Sequence, residues 1–236
     1  MPFRLVECRS PNHDARPAAV DMLVLHYTGM KTAEEALARL CDPSAKVSAH
    51  YTIDTKGCVY RHVPEERRAW HAGASFWAGE ANVNGRSIGI ELVNPGHEFG
   101  YVPFTEDQIA SLIDLAQGIV ARHAIAPARV LAHSDVAPAR KTDPGELFPW
   151  RRLAKSGIGL WPSPLPLGGA LSSGEARQGE GAFAAALARF GYGVPPEVDV
   201  PLEAVVTAFQ RHFRPSCIDG VADGECAAIL TDLLTA

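Results

Sequence analysis

The chain has 236 residues, and at roughly 150 residues per domain this length predicts one full domain and a smaller one. It carries 22 Lys and Arg against 27 Asp and Glu, and the net charge of -5 argues against a basic surface for nucleic acid or anionic membranes. The five cysteines, an odd number without a CxxC pair, argue against a disulfide framework or a thiolate zinc knuckle. No apolar run reaches the roughly 18 residues that a membrane-spanning helix needs.

The first part of the chain alternates strand and helix signals. Met22–Tyr27 is a short continuous apolar run, which is typical of a strand covered on both faces. Thr32–Glu35 is a capping box that begins a helix, which we expect to end at about Leu40. Val47–Ile53 and Val59–Val63 flank an Asp-Thr-Lys-Gly turn, and this pattern predicts a hairpin.

The alternation continues further along the chain. Ser87–Val93 is another predicted strand, and Val130–His133 is a further short one. Between them, Thr105–Gln108 caps a helix whose apolar side chains keep the helical period: Ile109, Leu112, Ile113, Ala116, Ile119 and Val120. Because strands and helices interleave, the predicted fold is an α/β sheet domain.

A stretch without charge, Ser156–Gly174, is rich in Pro, Gly and Ser, which predicts a linker. Three helical apolar patterns follow it. Their members are Phe183, Leu187 and Phe190, then Leu202, Val205, Val206, Phe209 and Phe213, then Ile229, Leu230, Leu233 and Leu234. We therefore expect a large domain at 1–161, a linker at 162–180 and a small three-helix domain at 181–236.

Two histidines, His26 and His133, lie at the carboxyl ends of predicted strands, where open α/β sheets place their ligand sites. No HExxH motif occurs, so a zinc site would have to be assembled from distant segments. Pro144 biases Asp143 towards an extended backbone, in which Lys141 and Asp143 project to the same side. A carboxylate ligand and a cation could thus face one site, although each histidine alone is also compatible with a hydrogen-bonded structural role.

Glu91 lies within an apolar predicted strand. Alternation puts Ile88, Ile90 and Leu92 on one face and Gly89 and Glu91 on the other, where the glycine leaves room beside the carboxylate. Desolvating this carboxylate is costly unless it is paired, so we expect a raised pKa and a general-base role, with a solvated edge or a salt bridge to Arg as the alternatives. Spacing alone leaves four more histidines as candidate ligands: His50, His62, His71 and His97.

Six short motifs occur in the order and approximate spacing found in zinc-dependent N-acetylmuramoyl-L-alanine amidases: Leu25–Gly29, Ser48–Tyr51, Trp70–Gly73, Ser87–Leu92, Ala132–Pro138 and Arg140–Gly145. The match runs from about residue 18 to Trp161. It resembles the amidase branch of the superfamily that also holds phage lysozyme-type amidases and peptidoglycan recognition proteins. Ala208–Arg211 followed by Asp219 and Gly220 resembles the three-helix peptidoglycan-binding domain. The resemblance implies a mixed sheet flanked by helices, followed by a small helical domain.

The resemblance also implies roles for five residues. His26, His133 and Asp143 correspond to the ligands of one zinc ion, which leaves one coordination position for water. Glu91 corresponds to the general base, and Lys141 to the cation that stabilises the oxyanion of the tetrahedral intermediate. All positions needed for catalysis are therefore filled.

Three further side chains are predicted to contact substrate. Trp70 and His71 could contact sugar or peptide, and Arg140 could pair with a peptide carboxylate through two hydrogen bonds. The alternatives are packing for Trp70, a structural hydrogen bond for His71 and a solvated surface position for Arg140. We expect His50 to support the fold rather than to bind metal.

The implied reaction is hydrolysis of the amide bond between N-acetylmuramic acid, or its 1,6-anhydro form, and L-alanine in peptidoglycan fragments, during cell-wall recycling or turnover. The implied partners are peptidoglycan or soluble muropeptides, and the alternative function is a non-catalytic module that binds them. Residues 1–17 contain charge and proline where a signal peptide needs an apolar core, so we expect a cytoplasmic protein. The alternative is a periplasmic protein whose export signal has been removed.

Overall fold

The computed structural model of the chain describes residues 3–163 and 179–236. The strands are β1 (Leu5–Glu7), β2 (His13–Ala15), β3 (Met22–Tyr27), β4 (Tyr51–Ile53), β5 (Val59–Arg61), β6 (Arg67–Ala69), β7 (Ser87–Leu92) and β8 (Val130–Ala132). The helices are α1 (Ala33–Cys41), α2 (Val83–Arg86), α3 (Gly96–Phe99), α4 (Glu106–His123), α5 (His133–Val136), α6 (Trp150–Lys155), α7 (Glu180–Phe190), α8 (Leu202–Phe213) and α9 (Gly224–Leu233). Most of the predicted linker, residues 164–178, lies outside the described residues.

Within the described residues, six strands form the main sheet in the order β1-β5-β4-β7-β3-β8. Strand β3 pairs in parallel with β7 and β8, β7 pairs in parallel with β4, and β1 pairs in parallel with β5. Strands β4 and β5 form the predicted antiparallel hairpin. The sheet is therefore mixed and flanked by helices, which confirms the predicted fold class.

The two central strands, β3 and β7, set the geometry of the site. Their apolar residues are fully buried, as expected for parallel strands covered on both faces. In register, His26 lies opposite Glu91 and Val24 lies opposite Gly89. Because paired residues of a parallel ladder share a face, His26, Glu91 and Gly89 point to the same side of the sheet.

Each face of the sheet has its own hydrophobic cluster. One cluster joins Leu23, Leu25 and Ile90 to the apolar stripe of α4. The other joins Met22 and Val24 of β3 to side chains of α7, α8 and α9, among them Phe183, Leu187, Phe209 and Leu230. The three C-terminal helices therefore share a core with the sheet and form its second covering layer.

The residues that resemble a peptidoglycan-binding domain hold a turn together. Gln210 on α8 is fully buried, and its Nε2 donates to Asp219 Oδ1 (2.8 Å) and to the carbonyl of Val221 (3.0 Å). Its Oε1 accepts from the backbone N–H groups of Asp219 (3.0 Å) and Gly220 (2.8 Å). In the described structure these residues are thus satisfied internally.

Several predicted boundaries are corrected. The strand expected from Val47 begins at Tyr51, because the Ser48 N–H bonds to the carbonyl of Trp70 (3.1 Å) instead of continuing the ladder. The second hairpin strand ends at Arg61, and β8 ends at Ala132, so that His133 is the first residue of α5. The described start of the uncharged stretch that begins at Ser156 is packed, since Ile158 is only 1% exposed.

Candidate active site

The ends of β3, β7 and β8 bring the predicted site residues together. His26 is the penultimate residue of β3, Glu91 is its register partner on β7, and His133 follows β8 directly. Asp143 comes from the loop beyond α5, and its carbonyl accepts from the Ser134 N–H (3.0 Å), which ties that loop to His133. The fold therefore brings the predicted ligand side chains together at the carboxyl edge of the sheet.

Three side-chain atoms of these segments meet at one point. His26 Nδ1 lies 2.9 Å from His133 Nδ1 and 3.2 Å from Asp143 Oδ2, and His133 Nδ1 lies 3.0 Å from the same carboxylate oxygen. All three residues are buried, with 1%, 3% and 5% of their surfaces exposed. They form a group that could hold a metal ion.

A chain of hydrogen bonds fixes the tautomer of His26. The Ser87 hydroxyl donates to the carbonyl of Val83 (2.6 Å), so its oxygen accepts from Nε2–H of His71 (3.1 Å). Burial, with the repulsion that a protonated His26 would exert, holds the pKa of His71 well below its ordinary value, so the His71 ring is neutral and its Nδ1 accepts from Nε2–H of His26 (3.0 Å). The Nδ1 atom of His26 is left as a lone pair that faces the cluster.

The His133 ring, like the His26 ring, turns its Nδ1 atom towards the cluster. Its Nε2 donates to the carbonyl of Ala72 (3.1 Å), so Nδ1 is the ring nitrogen that faces the cluster. Two imidazole nitrogens and a carboxylate oxygen thus converge within 3.2 Å of one another. Two imidazoles with one carboxylate suit a catalytic metal ion.

The charge states agree with a cation-binding cluster. Burial, reinforced by the repulsion that a protonated His133 would exert, lowers the pKa of His26 to about 4, so this ring is neutral near pH 7. Burial alone would raise the pKa of Asp143, but the attraction of the His133 and His26 rings in their protonated forms and their hydrogen bonds outweigh it and hold that pKa well below its usual range. Near pH 7 the cluster therefore offers the neutral His26 ring and the carboxylate of Asp143.

The Glu91 carboxyl lies beside this cluster, but its hydrogen bonding and its pKa differ from those of Asp143. Its Oε2 atom is buried, and no described residue supplies a hydrogen bond to it. Burial, with the nearby charge of Asp143, raises the pKa of Glu91 well above its ordinary value. A solvated sheet edge is wrong, because β7 is a central strand, and no arginine among the described residues forms a salt bridge with Glu91. An unpaired carboxyl with a raised pKa is suited to exchange a proton with a substrate.

The space expected beside Gly89 is filled by His71. A Cβ atom at position 89 would lie 2.6 Å from Nδ1 of His71, so the glycine is what admits the imidazole ring. The backbone N–H groups of His71 and Ala72 both donate to Oδ1 of Asn84 (3.0 and 2.8 Å). His71 is thereby held from both its backbone and its side chain.

The cluster opens into a cleft of about 540 Å³. Its walls include Glu91, His133, Asp143, Lys141, Trp70, His71, Arg140, Glu98, and Ala36, Arg39 and Leu40 of α1. Lys141 lines the cleft together with Glu91, and its positive charge lowers the pKa values of both His26 and Glu91. A cleft of this size is within the range of small-molecule sites.

The three side chains predicted to contact substrate differ in how far their polar groups are already hydrogen-bonded within the protein. Trp70 lines the cleft while its Nε1 donates to Asp14 Oδ2 (3.3 Å). Both ring nitrogens of His71 are engaged, as described above. Arg140 is exposed, and its Nη2 donates to the carbonyls of Ala72 (2.8 Å) and Ala74 (2.7 Å), while no described residue accepts from its other guanidinium N–H groups.

Sequence reasoning missed the residues that support the cluster. Ser87 and Asn84 act through His71, and Asp135, two residues after His133, accepts from the backbone N–H of Ala132 (2.7 Å). His50, expected to support the fold, accepts from the Gly89 N–H at Nδ1 (2.9 Å) and lies fully buried. Only the Asp three residues after Ala132, a helix-start pattern, is visible in the sequence.

A family profile described as N-acetylmuramoyl-L-alanine amidase matches residues 16–146, which is more than half of the chain and includes the whole cluster with Glu91. The chain belongs to the N-acetylmuramoyl-L-alanine amidase family. The resemblance read from the six motifs is thereby confirmed. None of this amidase's helices in the described residues is both long and apolar enough to cross a membrane.

Two curated relatives and one solved structure are similar to this amidase. It is 41% identical over 231 residues to N-acetylmuramoyl-L-alanine amidase AmiD of Escherichia coli (strain K12), a match that covers 91% of this chain and 82% of AmiD. It is 35% identical over 170 residues to 1,6-anhydro-N-acetylmuramyl-L-alanine amidase AmpD of Enterobacter cloacae, covering 63% of this chain and 89% of AmpD. The structure of E. coli AmiD in complex with the substrate anhydro-N-acetylmuramic acid-L-Ala-D-gamma-Glu-L-Lys has a TM-score of 0.79 at 39% identity, covering 94% of this chain and 92% of that one. Because residues 1–179 make up less than 91% of the chain, the AmiD match extends into the C-terminal helices.

Proposed function

We propose that this amidase hydrolyses the amide bond between N-acetylmuramic acid, or its 1,6-anhydro form, and L-alanine in peptidoglycan fragments, during cell-wall recycling or turnover. The observation that carries the proposal is the cluster of His26, His133 and Asp143, whose ligand atoms lie within 3.2 Å of one another, beside the Glu91 carboxyl, whose buried Oε2 has no hydrogen-bond partner among the described residues. Relatives named for this same bond, and a relative solved with an anhydromuramyl peptide, support the choice of substrate.

The cofactor in this proposal is one zinc ion held by His26, His133 and Asp143. Two imidazole nitrogens and one carboxylate fit zinc because they are its usual protein ligands, and their ligand atoms are buried together within 4.8 Å of one another. When bound, zinc supplies Lewis acidity at the scissile carbonyl and makes water more acidic. His71 and Ser87 keep the His26 ring in the tautomer that presents Nδ1.

Glu91 moves the proton in this mechanism. Its buried carboxylate takes a proton from the water that attacks the lactyl carbonyl, and its raised pKa allows it to keep that proton through the addition step. The carboxyl then delivers the proton to the departing L-alanine nitrogen. One group therefore serves first as base and then as acid, and the leaving amine departs neutral.

Lys141 supplies positive charge at the carbonyl end of the cleft. Its ammonium group stabilises the negative charge that develops on the carbonyl oxygen, and one well-placed donor of this kind is worth on the order of 3 kcal/mol. Trp70 offers an aromatic wall for sugar or peptide, and Arg140 has free N–H groups at the exposed rim for a peptide carboxylate. His71 is better placed to orient His26 than to contact substrate.

Release of free peptide from an anhydromuramyl tripeptide, followed by mass spectrometry, tests the proposal. The zinc-loaded chain should release peptide, and Glu91→Gln should lower the rate by on the order of 100-fold or more while zinc stays bound. Glu98→Gln is the matched control, because Glu98 lines the same cleft without lying in the sheet. A zinc-loaded wild type that binds the tripeptide without cleaving it would favour the non-catalytic module instead. Normal rates in Glu91→Gln would remove Glu91 as the base.

The cytoplasm is the proposed compartment. Its support is the set of five cysteines, including the neighbouring Cys8 and Cys41, because an odd number without a CxxC pair is typical of reduced thiols. Fractionation of cells that express the native gene tests this proposal. Recovery of the protein in the periplasm, or a disulfide between these two residues in protein taken from cells, would overturn it.

We propose the division into 1–161, 162–180 and 181–236, with the last part as a peptidoglycan-binding-like domain that packs on the sheet of the first part and is not separable from it in folding. Its support is the resemblance around Gln210. Sedimentation of the inactive Glu91→Gln chain with insoluble peptidoglycan tests it. Binding that survives a saturating soluble muropeptide would come from outside the cleft, as the proposal requires, whereas binding that the muropeptide abolishes would come from the cleft alone.

A further inference from the structure

A second group of metal-ligand side chains lies outside the cleft: Cys8, Cys41 and His62. Cys8 follows β1, Cys41 is the last residue of α1, and His62 follows β5, so three segments distant in sequence meet here. The two Sγ atoms are 3.3 Å apart, and Cys41 Sγ is 3.7 Å from Nδ1 of His62. The proposed hydrolysis uses none of these side chains.

The spacing of the three atoms is close to that of a tetrahedral zinc site. With bonds of about 2.3 Å to sulfur and about 2.05 Å to nitrogen, a tetrahedral ion separates two sulfurs by about 3.8 Å and a sulfur from a nitrogen by about 3.6 Å. The observed 3.7 Å between Cys41 Sγ and His62 Nδ1 matches the second value. The observed 3.3 Å between the sulfurs must grow by about 0.5 Å to reach the first, whereas a disulfide requires them to close by more than 1 Å.

His62 also has the outer support that metal-binding histidines usually have. It is only 1% exposed, and its Nε2 lies 2.9 Å from Oγ1 of Thr52, which is fully buried. Without a metal, Nδ1–H of His62 donates to the carbonyl of Cys8 (2.6 Å). When Nδ1 binds an ion, the ring proton moves to Nε2, where Thr52 Oγ1 accepts it. Both tautomers of His62 are therefore satisfied by the same pocket.

We propose that Cys8, Cys41 and His62 bind a thiophilic divalent cation of the zinc type at a structural site. Binding releases the two thiol protons to solvent and leaves two thiolates, one neutral imidazole and a fourth position, beside which the Cys8 carbonyl lies. Both thiols are partly exposed, so an ion can reach them. This site is independent of the proposed hydrolysis.

The position of the site gives it a mechanical consequence. The segment around Cys8 already bonds to the end of α1, since Ser10 Oγ donates to the carbonyl of Leu40 (2.5 Å) and Asn12 Nδ2 donates to the carbonyl of Asp42 (2.7 Å). Leu40 lines the catalytic cleft. An ion held by Cys8, Cys41 and His62 therefore fastens the cleft wall made by α1 to β1 and to the hairpin.

Titration of the fully reduced, metal-stripped chain with Cd²⁺ tests this site directly. The catalytic cluster has only nitrogen and oxygen ligands, so an ultraviolet thiolate-to-cadmium charge-transfer band reports on the sulfur site alone. We expect the wild type to bind two Cd²⁺ per chain and to show this band. His26→Ala should bind one and keep the band, whereas Cys41→Ser should bind one and lose it.

Matched controls separate this result from unspecific thiol binding and from misfolding. Cys58→Ser removes a partly exposed cysteine elsewhere and should leave the band and both ions in place. Cys8→Ser and Cys41→Ser should keep the peptide-release activity of the zinc-loaded protein, which shows that they fold. Absence of the band in folded wild type at two equivalents of Cd²⁺, or its persistence in folded Cys41→Ser, would overturn the proposal whether or not the chain is an active amidase.

Discussion

The Tyr192 hydroxyl donates a 2.7 Å hydrogen bond to Oδ1 of Asp135, and the two groups are almost fully buried. Tyr192 follows α7, whereas Asp135 lies on α5 two residues after His133. The other carboxylate oxygen of Asp135 accepts from Nδ1 of His212 on α8 (2.7 Å), whose ring stacks on Trp150 at 3.7 Å. The C-terminal helices thus supply both side-chain donors to a carboxylate beside a proposed zinc ligand.

Tyr192→Phe should lower the free energy of unfolding by about 2 kcal/mol, because it leaves one oxygen of a buried carboxylate without a donor. Tyr60→Phe is the matched control, since its hydroxyl bonds to Asp54 (3.1 Å) on the partly exposed hairpin. Its loss should be below about 1 kcal/mol. Urea unfolding monitored by circular dichroism measures both, and equal losses in the two variants would contradict the special position of Asp135.

A chain that ends at residue 163 should not fold as a stable domain. It would expose the apolar face of the sheet that includes Met22, Val24 and Leu131. It would also leave the Asp135 carboxylate without its hydrogen-bond donors Tyr192 and His212. We expect aggregation, and co-expression of residues 179–236 should restore soluble protein. A shortened chain that stays monomeric and releases peptide at the full rate would show instead that the C-terminal helices are separable.

His71→Ala should weaken zinc binding at the catalytic cluster by about 10- to 100-fold, because nothing then holds Nε2–H of His26 in its tautomer. Competition with a chromophoric chelator measures the affinity. His123→Ala is the control, since His123 bonds to Glu65 away from the cleft. If both variants bound zinc as tightly as the wild type, His71 would have no orienting role.

Gly89→Ala should have a similar effect without removing any polar group. The added methyl would lie 2.6 Å from Nδ1 of His71 and must displace the ring, with a loss of stability of about 1 to 3 kcal/mol and weaker zinc binding. Gly181→Ala on α7 meets no atom within 4 Å and should stabilise the chain by about 0.5 to 1 kcal/mol. Unchanged zinc affinity in Gly89→Ala would mean that the His71 ring can shift and still orient His26.

The central strands and the long helix could be predicted because their patterns are local. The alternation in β7 already put Gly89 and Glu91 on one face, and the apolar run of β3 already indicated a covered strand. The three-residue strands β1, β2 and β6 were not predicted. Each is too short to show an alternation of apolar and polar residues, and five of their nine residues are charged or polar.

The support of the cluster could not be predicted because it depends on contacts between distant segments. Nothing near His71 in sequence says that Ser87 and Asn84 will hold its ring, or that Gly89 exists to admit it. The stripes of the C-terminal helices showed that each buries one face. They did not show that the partner of those faces is the sheet itself, because amphipathicity carries no information about the partner.

Glu65 should make the stability of the fold depend on pH in the acid range. Burial alone would raise its pKa, but hydrogen bonds from Arg122 (2.6 Å), His123 (2.6 Å) and Tyr51 (2.7 Å) outweigh it and lower the pKa from 4.5 to about 2. The unfolded chain then binds the proton more tightly than the folded one. The stabilisation is fully present above about pH 4.5 and is lost as the pH falls towards 2.

Glu65→Gln should therefore lower the free energy of unfolding by about 2 to 3 kcal/mol at pH 7, and by much less at pH 3, where most of the carboxylate's contribution has already gone. Urea unfolding of metal-free protein at the two pH values measures the gap between wild type and variant without a contribution from zinc loss. Glu66→Gln, at the exposed neighbouring position, should change stability by less than about 0.5 kcal/mol at either pH. A gap for Glu65→Gln of the same size at pH 3 and pH 7 would mean that its carboxyl titrates alike in the folded and unfolded chains, so that packing and not charge accounts for its effect.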